Sequence, residues 1–145
     1  MKEKLIKAYM KTAQTFAECS TARRLHVGAI VVKDDRIISI GYNGMPSGWD
    51  NNCEDELKWP NGDIKFLETK PEVLHAESNA ISKLARSSES GEGSTMFITH
   101  SPCLACSKLI YQSGIKKVYF GQAYRDSSGI EFLAKCKIDV EQINV

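Results

Sequence analysis

From His75 onward, helix-period and strand-period segments take turns along the chain. That alternation restricts the fold to a sheet with helices packed on its faces. Ala76, Ala80, Ile81, Leu84 and Ala85 share one side of a helix that ends near Ser87–Ser88. Thr95 to Thr99 reads as a strand, and Pro102 opens a helix that runs through Leu109, Ile110 and Tyr111 to a stop at Gly114. Val118-Tyr119-Phe120 is a strand, Ile130 to Ala134 a helix, and Ile138 to Ile143 a last strand.

Before His75 the pattern differs. Leu5, Ile6, Tyr9, Met10, Ala13, Phe16 and Ala17 recur at helical spacing and predict a helix over residues 2–19. Val27 to Val32 and Ile37 to Ile40 flank the polar turn Lys33-Asp34-Asp35-Arg36, so they predict a β-hairpin. From Tyr42 to Leu74 no period survives, and turn formers abound, among them Asn43-Gly44, Pro46, Gly48, Pro60-Asn61-Gly62-Asp63 and Pro71. The expectation there is a long functional loop inside a single domain spanning 1–145. The predicted order is α-β-β-loop-α-β-α-β-α-β, a mixed sheet with helices on its faces.

The chain's 19 Lys+Arg and 18 Asp+Glu give a net charge of +1. That balance argues against a domain built to grip nucleic-acid backbones, though a single nucleotide remains an admissible ligand. No apolar stretch approaches the ~18 residues of a membrane span, and the N-terminal segment has no signal-like apolar region. The cysteines are Cys19, Cys53, Cys103, Cys106 and Cys136. An odd count in this context reads as reduced cytoplasmic thiols, with Cys136 in the core and some of the others on a metal.

Two fragments carry the chemistry: His75-Ala76-Glu77 and Pro102-Cys103-Leu104-Ala105-Cys106, each where a helix begins. Cys-x-x-Cys in a first helical turn brings two sulfurs to one side, where the helix dipole favours thiolates. His75 can add a nitrogen, and three protein ligands on zinc leave a fourth position for water, the mark of a catalytic rather than a structural site. Glu77, two residues on from His75, points elsewhere and is suited to hold a proton beside that position. A redox dithiol is an alternative for the cysteine pair. So is a structural zinc knot completed by Cys19, Cys53, Cys136, His26 or His100. Both fragments together, His-x-Glu followed by Pro-Cys-x-x-Cys, form the general signature of zinc-dependent nucleobase deaminases.

The wider sequence resembles the cytidine deaminase superfamily, and within it the deoxycytidylate (dCMP) deaminases. The residues that carry the likeness are Arg24-Leu25-His26-Val27-Gly28-Ala29, Gly41-Tyr42-Asn43-Gly44-Met45-Pro46-Ser47-Gly48, His75-Ala76-Glu77-Ser78-Asn79-Ala80, Ser101-Pro102-Cys103-Leu104-Ala105-Cys106 and Gln112-Ser113-Gly114-Ile115. Ser78 departs from the Leu or Met usual in that family. The resemblance implies an α/β fold with three layers, α-β-α, around a mixed five-stranded sheet. It implies zinc-dependent hydrolysis of dCMP to dUMP and ammonia, which supplies dUMP for dTMP synthesis in the cytoplasm (the host cytoplasm for a viral source).

Carried over residue by residue, the resemblance makes His75, Cys103 and Cys106 the zinc ligands and Glu77 the proton carrier. Ala76 and the Ser101 carbonyl would meet the base edge, Asn43 the sugar 3′-hydroxyl and Tyr124 the face of the ring. Arg24, Arg125 and Ser20 are candidates for the 5′-phosphate. Adjacent Arg23 and Arg24 face different ways, so one of them serves. The resemblance further implies a homohexamer, activated by dCTP and inhibited by dTTP. The effector would bind near Ile40, Gly41, Tyr42, Asn43, Gly44 and Gly48, with Mg2+ accompanying the triphosphate. Some viral members hold a second zinc in regions matching Cys19 and Cys53; residues 42–74 contain no histidine, so one zinc per chain is expected. The rival readings are a deaminase of cytidine, guanine or a tRNA base, and a catalytically silent zinc nucleotide sensor.

Overall fold

Strand alternation sorts the central side chains into two cores. In the computed structural model, which describes residues 1–145, β1 (Gly28–Lys33) sends Ala29 and Val31 to one face and Ile30 and Val32 to the other. β5 (Thr95–His100) and β6 (Lys117–Gln122) divide likewise, Met96, Ile98 and Val118 on one side against Phe97 and Tyr119 on the other. Strands buried on both faces read as unbroken apolar runs, which is how they look in the sequence.

The sheet has the order β2-β1-β5-β6-β7. β2 (Arg36–Tyr42) returns antiparallel to β1 through Asp34 and Asp35, both left-handed at φ 51 and 58. β5 is antiparallel to β1, while β6 and β7 (Asp139–Gln142) are parallel to their neighbours. α1 (Glu3–Ala17) covers one face, setting Met10 and Ala13 against Ile30, Val32, Phe97 and Tyr119. The other face takes α2 (Ala76–Ala85), α3 (Leu104–Gln112) and α4 (Ser128–Lys135), with Ala80, Leu84, Ile110 and Leu133 in its core. This is the expected three-layer α/β architecture.

The stretch expected to be a structureless loop contains a second sheet instead. β3 (Glu54–Lys58) and β4 (Ile64–Thr69) pair antiparallel around Trp59–Asp63, where Trp59 N–H donates to the Asp63 carbonyl at 2.8 Å. The hairpin hides little apolar surface, so its charged sequence shows no strand period. Its ladder and its ties to the 20–27 segment hold it. At its base, where Cys53 directly precedes β3, lies a small satellite core of Ala22, Cys53 and Val73. A smaller difference concerns Pro102, which precedes the cap of α3 rather than opening the helix.

α2 is drawn tightly onto β2. A Cβ at Gly41 would lie 2.7 Å from the Ala80 nitrogen, so only glycine permits this approach. Lys83 Nζ and Asn79 Nδ2 fasten the helix further, donating to the carbonyls of Ile40 at 2.9 Å and Tyr42 at 2.8 Å. These contacts fix where the N-terminus of α2 points.

Candidate active site

Two helix starts converge. His75 caps α2 in an extended conformation, φ −77 and ψ 153. Cys103 caps α3, its sulfur accepting from Cys106 N–H at 3.5 Å. The His75 Nδ1 atom lies 3.3 Å from Cys106 Sγ and 3.7 Å from Cys103 Sγ, and all three donor atoms fall within 4.8 Å of one another. Zinc bonds of ~2.0 Å to nitrogen and ~2.3 Å to sulfur at tetrahedral angles set a nitrogen–sulfur edge of ~3.5 Å. The two observed nitrogen–sulfur separations bracket that value, so the donor set fits zinc.

The group contains three donors and no fourth. The residues considered for completing a knot are engaged elsewhere or stand apart, Cys136 at the C-terminal cap of α4 against the main core. Cys53 Sγ lies against the Asn51 carbonyl and the Thr21 hydroxyl, and Cys19 is exposed at the end of α1. His26 Nε2 contacts the Ala22 carbonyl at 2.6 Å, and His100 pairs with Thr99 and stacks on Tyr124 at 5.6 Å. The histidine beside the thiols sets this site apart from a bare redox dithiol.

Hydrogen bonds from Cys106 and His75 lower the Cys103 thiol to about 4, making it a thiolate. The same bond to Cys103, together with burial, pushes the Cys106 thiol up. His75 is raised through its bond to Cys103. Glu77 is 5% exposed, and burial lifts its carboxyl from 4.5 to about 7 despite the helix N-terminus and His75. A carboxyl poised there exchanges a proton at little cost near neutral pH.

The N-terminus of α4 braces the cysteine turn. A Cβ on Gly129 would come within 2.9 Å of the Cys103 carbonyl carbon and 2.7 Å of the buried Ser107 Oγ. The two helices therefore interlock where the two thiols are presented.

A cavity of about 300 Å³ opens over these groups. Its wall includes His75, Ala76, Glu77, Cys103, Ser101, Asn43, Tyr124 and Arg24. Tyr124 is 41% exposed, its N–H donating to Ser101 Oγ at 2.9 Å, and burial holds its phenol up at about 12, hence protonated. Asn43 is already bound to its own fold. Its Oδ1 accepts from Val27 N–H at 2.9 Å, and its Nδ2 donates to the Leu25 carbonyl at 2.8 Å.

Two candidates for the phosphate lie off the cavity wall. Ser20 turns its hydroxyl to Ala22 N–H at 3.2 Å, and Arg125 is exposed outside the cavity. Among the effector candidates, Ile40, Gly41 and Tyr42 belong to β2, and Gly41 gives its bare backbone to α2 rather than to open space. Gly44 exchanges both backbone hydrogen bonds with Leu74, and Gly48 is left-handed at φ 88.

Sequence reasoning missed the wall supplied by the 53–73 segment: Cys53, Glu54, Thr69 and Val73. Cys53 stands out only as a candidate metal ligand, and nothing marks Glu54, Thr69 or Val73 in a stretch of charges and turn formers.

This fold and this donor set together describe a zinc-site deaminase. Residues 3–122 match the family model "Cytidine and deoxycytidylate deaminase zinc-binding region", and the chain belongs to that family. It is 37% identical over 158 residues to the human deoxycytidylate deaminase, covering 94% of this chain and 85% of that one. It is 34% identical over 138 residues to ComE operon protein 2 of Bacillus subtilis, covering 94% and 70%. The crystal structure of dCMP deaminase from cyanophage S-TIM5, in complex with dCMP and dUMP, superposes with a TM-score of 0.87 at 47% identity over 99% of both chains.

Proposed function

We propose that this chain is a dCMP deaminase, converting dCMP and water to dUMP and ammonia. The observation that carries the reading is a three-donor zinc set on a nucleotide-sized cavity, with a buried carboxyl of near-neutral pKa beside it. Two relatives support the choice of substrate: the human one is named deoxycytidylate deaminase, and the S-TIM5 enzyme was crystallised with dCMP and dUMP.

His75, Cys103 and Cys106 would hold the ion. Zinc at such a site supplies Lewis acidity that lowers the pKa of water to about 7, so that a nucleophile exists at neutral pH. Glu77 accepts one proton of the attacking water, delivers it to N3 of the cytosine ring as C4 becomes tetrahedral, and then moves the proton of the new C4 hydroxyl to the amine, which departs as ammonia. The Ser101 carbonyl accepts from the exocyclic amino group, and Ala76 N–H donates to the base edge. Tyr124 lies against the ring, and stacking of that kind contributes ~1–3 kcal/mol. Arg24 takes the 5′-phosphate. Asn43, which tethers Leu25 and Val27, offers its remaining hydrogen-bonding capacity to the sugar 3′-hydroxyl.

The test is ultraviolet loss of dCMP before and after chelation, with zinc restored afterwards, run against cytidine, guanine and a tRNA anticodon stem. Turnover of dCMP that disappears with the metal and returns with it supports the assignment. A preference for one of the other substrates, or turnover indifferent to chelation, refutes it. A silent zinc sensor would bind dCMP and leave it intact.

The same reading extends to assembly and control: one domain over 1–145, one zinc per chain, a homohexamer in the cytoplasm, dCTP as activator, and dTTP as inhibitor with Mg2+ on the triphosphate. The exposed apolar side chains of the hairpin, Leu57, Trp59, Ile64 and Phe66, favour self-association. Sigmoidal dCMP kinetics, steepened by dTTP and flattened by dCTP, are expected. Hyperbolic kinetics indifferent to both would remove the effector site near Ile40–Gly48.

A further inference from the structure

The two adjacent arginines divide their work. Arg23 takes the carboxylates: its Nη1 meets Glu56 at 3.0 Å, and its Nε lies 3.6 Å from Glu54. Arg24 has no carboxylate partner, and its side chain lines the cavity. Its charge is thereby left for an anion.

What holds Arg24 in that position is a single cross-strand pair. Glu54 and Thr69 face each other in the register of β3 and β4. Glu54 is 1% exposed, and its Oε2 accepts from the backbone N–H groups of both Arg23, at 2.9 Å, and Arg24, at 3.0 Å. Thr69 Oγ1 accepts from Arg24 Nη1 at 3.0 Å. One residue of the pair fixes the arginine's backbone and the other its guanidinium. A carboxylate so deeply buried is costly to keep unless its partners are rigid. Two backbone donors and the Arg23 guanidinium meet that condition, although Oε1 itself makes no hydrogen bond.

We propose that Glu54 is a positioning residue for the substrate's phosphate: with Thr69, it makes the β3–β4 hairpin the holder that aims Arg24 into the cavity. The inference rests on the proposed reading of Arg24 as the phosphate ligand. It gives the hairpin a task separate from the chemistry at His75, Cys103 and Cys106, which is carried by different elements. Glu54 acts through Arg24 and does not touch substrate.

The experiment compares dCMP with deoxycytidine, which lacks the phosphate, in the zinc-loaded Glu54→Gln, Thr69→Val and Arg24→Ala proteins and in the double variant Glu54→Gln/Arg24→Ala. Glutamine keeps the shape of Glu54, but it replaces a charge-assisted acceptor of two N–H groups with a neutral one. For Glu54→Gln, KM for dCMP is expected to rise about tenfold or more, with kcat and deoxycytidine turnover within twofold of the parent. Thr69→Val moves KM the same way by a smaller factor. The double variant is expected to behave as Arg24→Ala alone, because the carboxylate has nothing left to aim. Equal losses on both substrates, or additive losses in the double variant, overturn the inference. Should Glu54→Gln fail to fold, an unchanged dCMP KM in Thr69→Val overturns it. If Arg24→Ala itself spares dCMP, the phosphate reading has failed; if Arg24→Ala is dCMP-specific and Glu54→Gln is not, only the present inference has.

Discussion

Replacing Glu77 with glutamine separates two consequences of one buried carboxyl. The side chain keeps its shape and loses its proton chemistry, so turnover is expected to fall ~10²–10⁴-fold. Zinc content should stay at the parent level, because Glu77 is not among the three donors. The second consequence is thermodynamic. Burial raises the folded-state carboxyl from 4.5 to about 7. A carboxyl raised in this way contributes its full stability below the unfolded value, and that stability drains away as pH climbs through the folded one. The whole penalty above neutrality is ~3 kcal/mol. Glutamine never ionises, so the variant escapes it. In chelated protein, urea unfolding of parent and variant should differ little at pH 5, and the variant should gain roughly 2–3 kcal/mol relative to the parent by pH 8. The other titrating groups are common to both proteins and largely cancel. Turnover within tenfold of the parent would refute the proton-carrier role. A stability gap that fails to open between pH 5 and pH 8 would refute the account of the buried charge.

Other expectations concern the metal, the packing and the base. Cys103→Ser and His75→Ala each break the donor triad, so zinc measured per chain should fall well below one and dCMP turnover should vanish with it. Gly41→Ala forces a Cβ against α2 and is expected to cost ~1–3 kcal/mol of stability by denaturant unfolding, with kcat lowered because α2 carries Glu77. Ile110→Ala empties a site fully buried between α3 and the sheet and should cost ~2–5 kcal/mol by the same assay. Tyr124→Phe is expected to retain dCMP affinity within about threefold while Tyr124→Ala loses it by about tenfold or more, measured as KM, if the ring and not the hydroxyl holds the base.

The parts of the fold legible in the sequence are those buried on a regular period. Met10 and Ala13 on α1, the alternation through β1, and the apolar faces of α2 and α3 all announce themselves because the core demands those spacings. The donor triad was equally legible. His75, Cys103 and Cys106 are rare residue types at helix starts, where capping geometry fixes their direction. The hairpin β3–β4 was not legible, since its stability comes from backbone pairing and a few polar ties rather than an apolar face. Glu54 was hidden for the same reason. In a run of Glu54-Asp55-Glu56 nothing local marks which acid is buried; only the distant N–H groups of Arg23 and Arg24 do. Ser20 and Arg125 show the converse, residues of suitable type whose backbone sends them off the cavity wall.

The small size of the satellite core of Ala22, Cys53 and Val73 at the base of the hairpin has a consequence for motion. Amide groups of β3 and β4 are protected by a two-stranded ladder alone, whereas those of β1 and β5 sit inside a five-stranded sheet between two helical layers. Deuterium should therefore reach the ribbon through a local opening that leaves the central strands closed. One end of the cavity is thus built on the central sheet and its helices and the other on a two-stranded ribbon, and exchange rates should differ between the two ends.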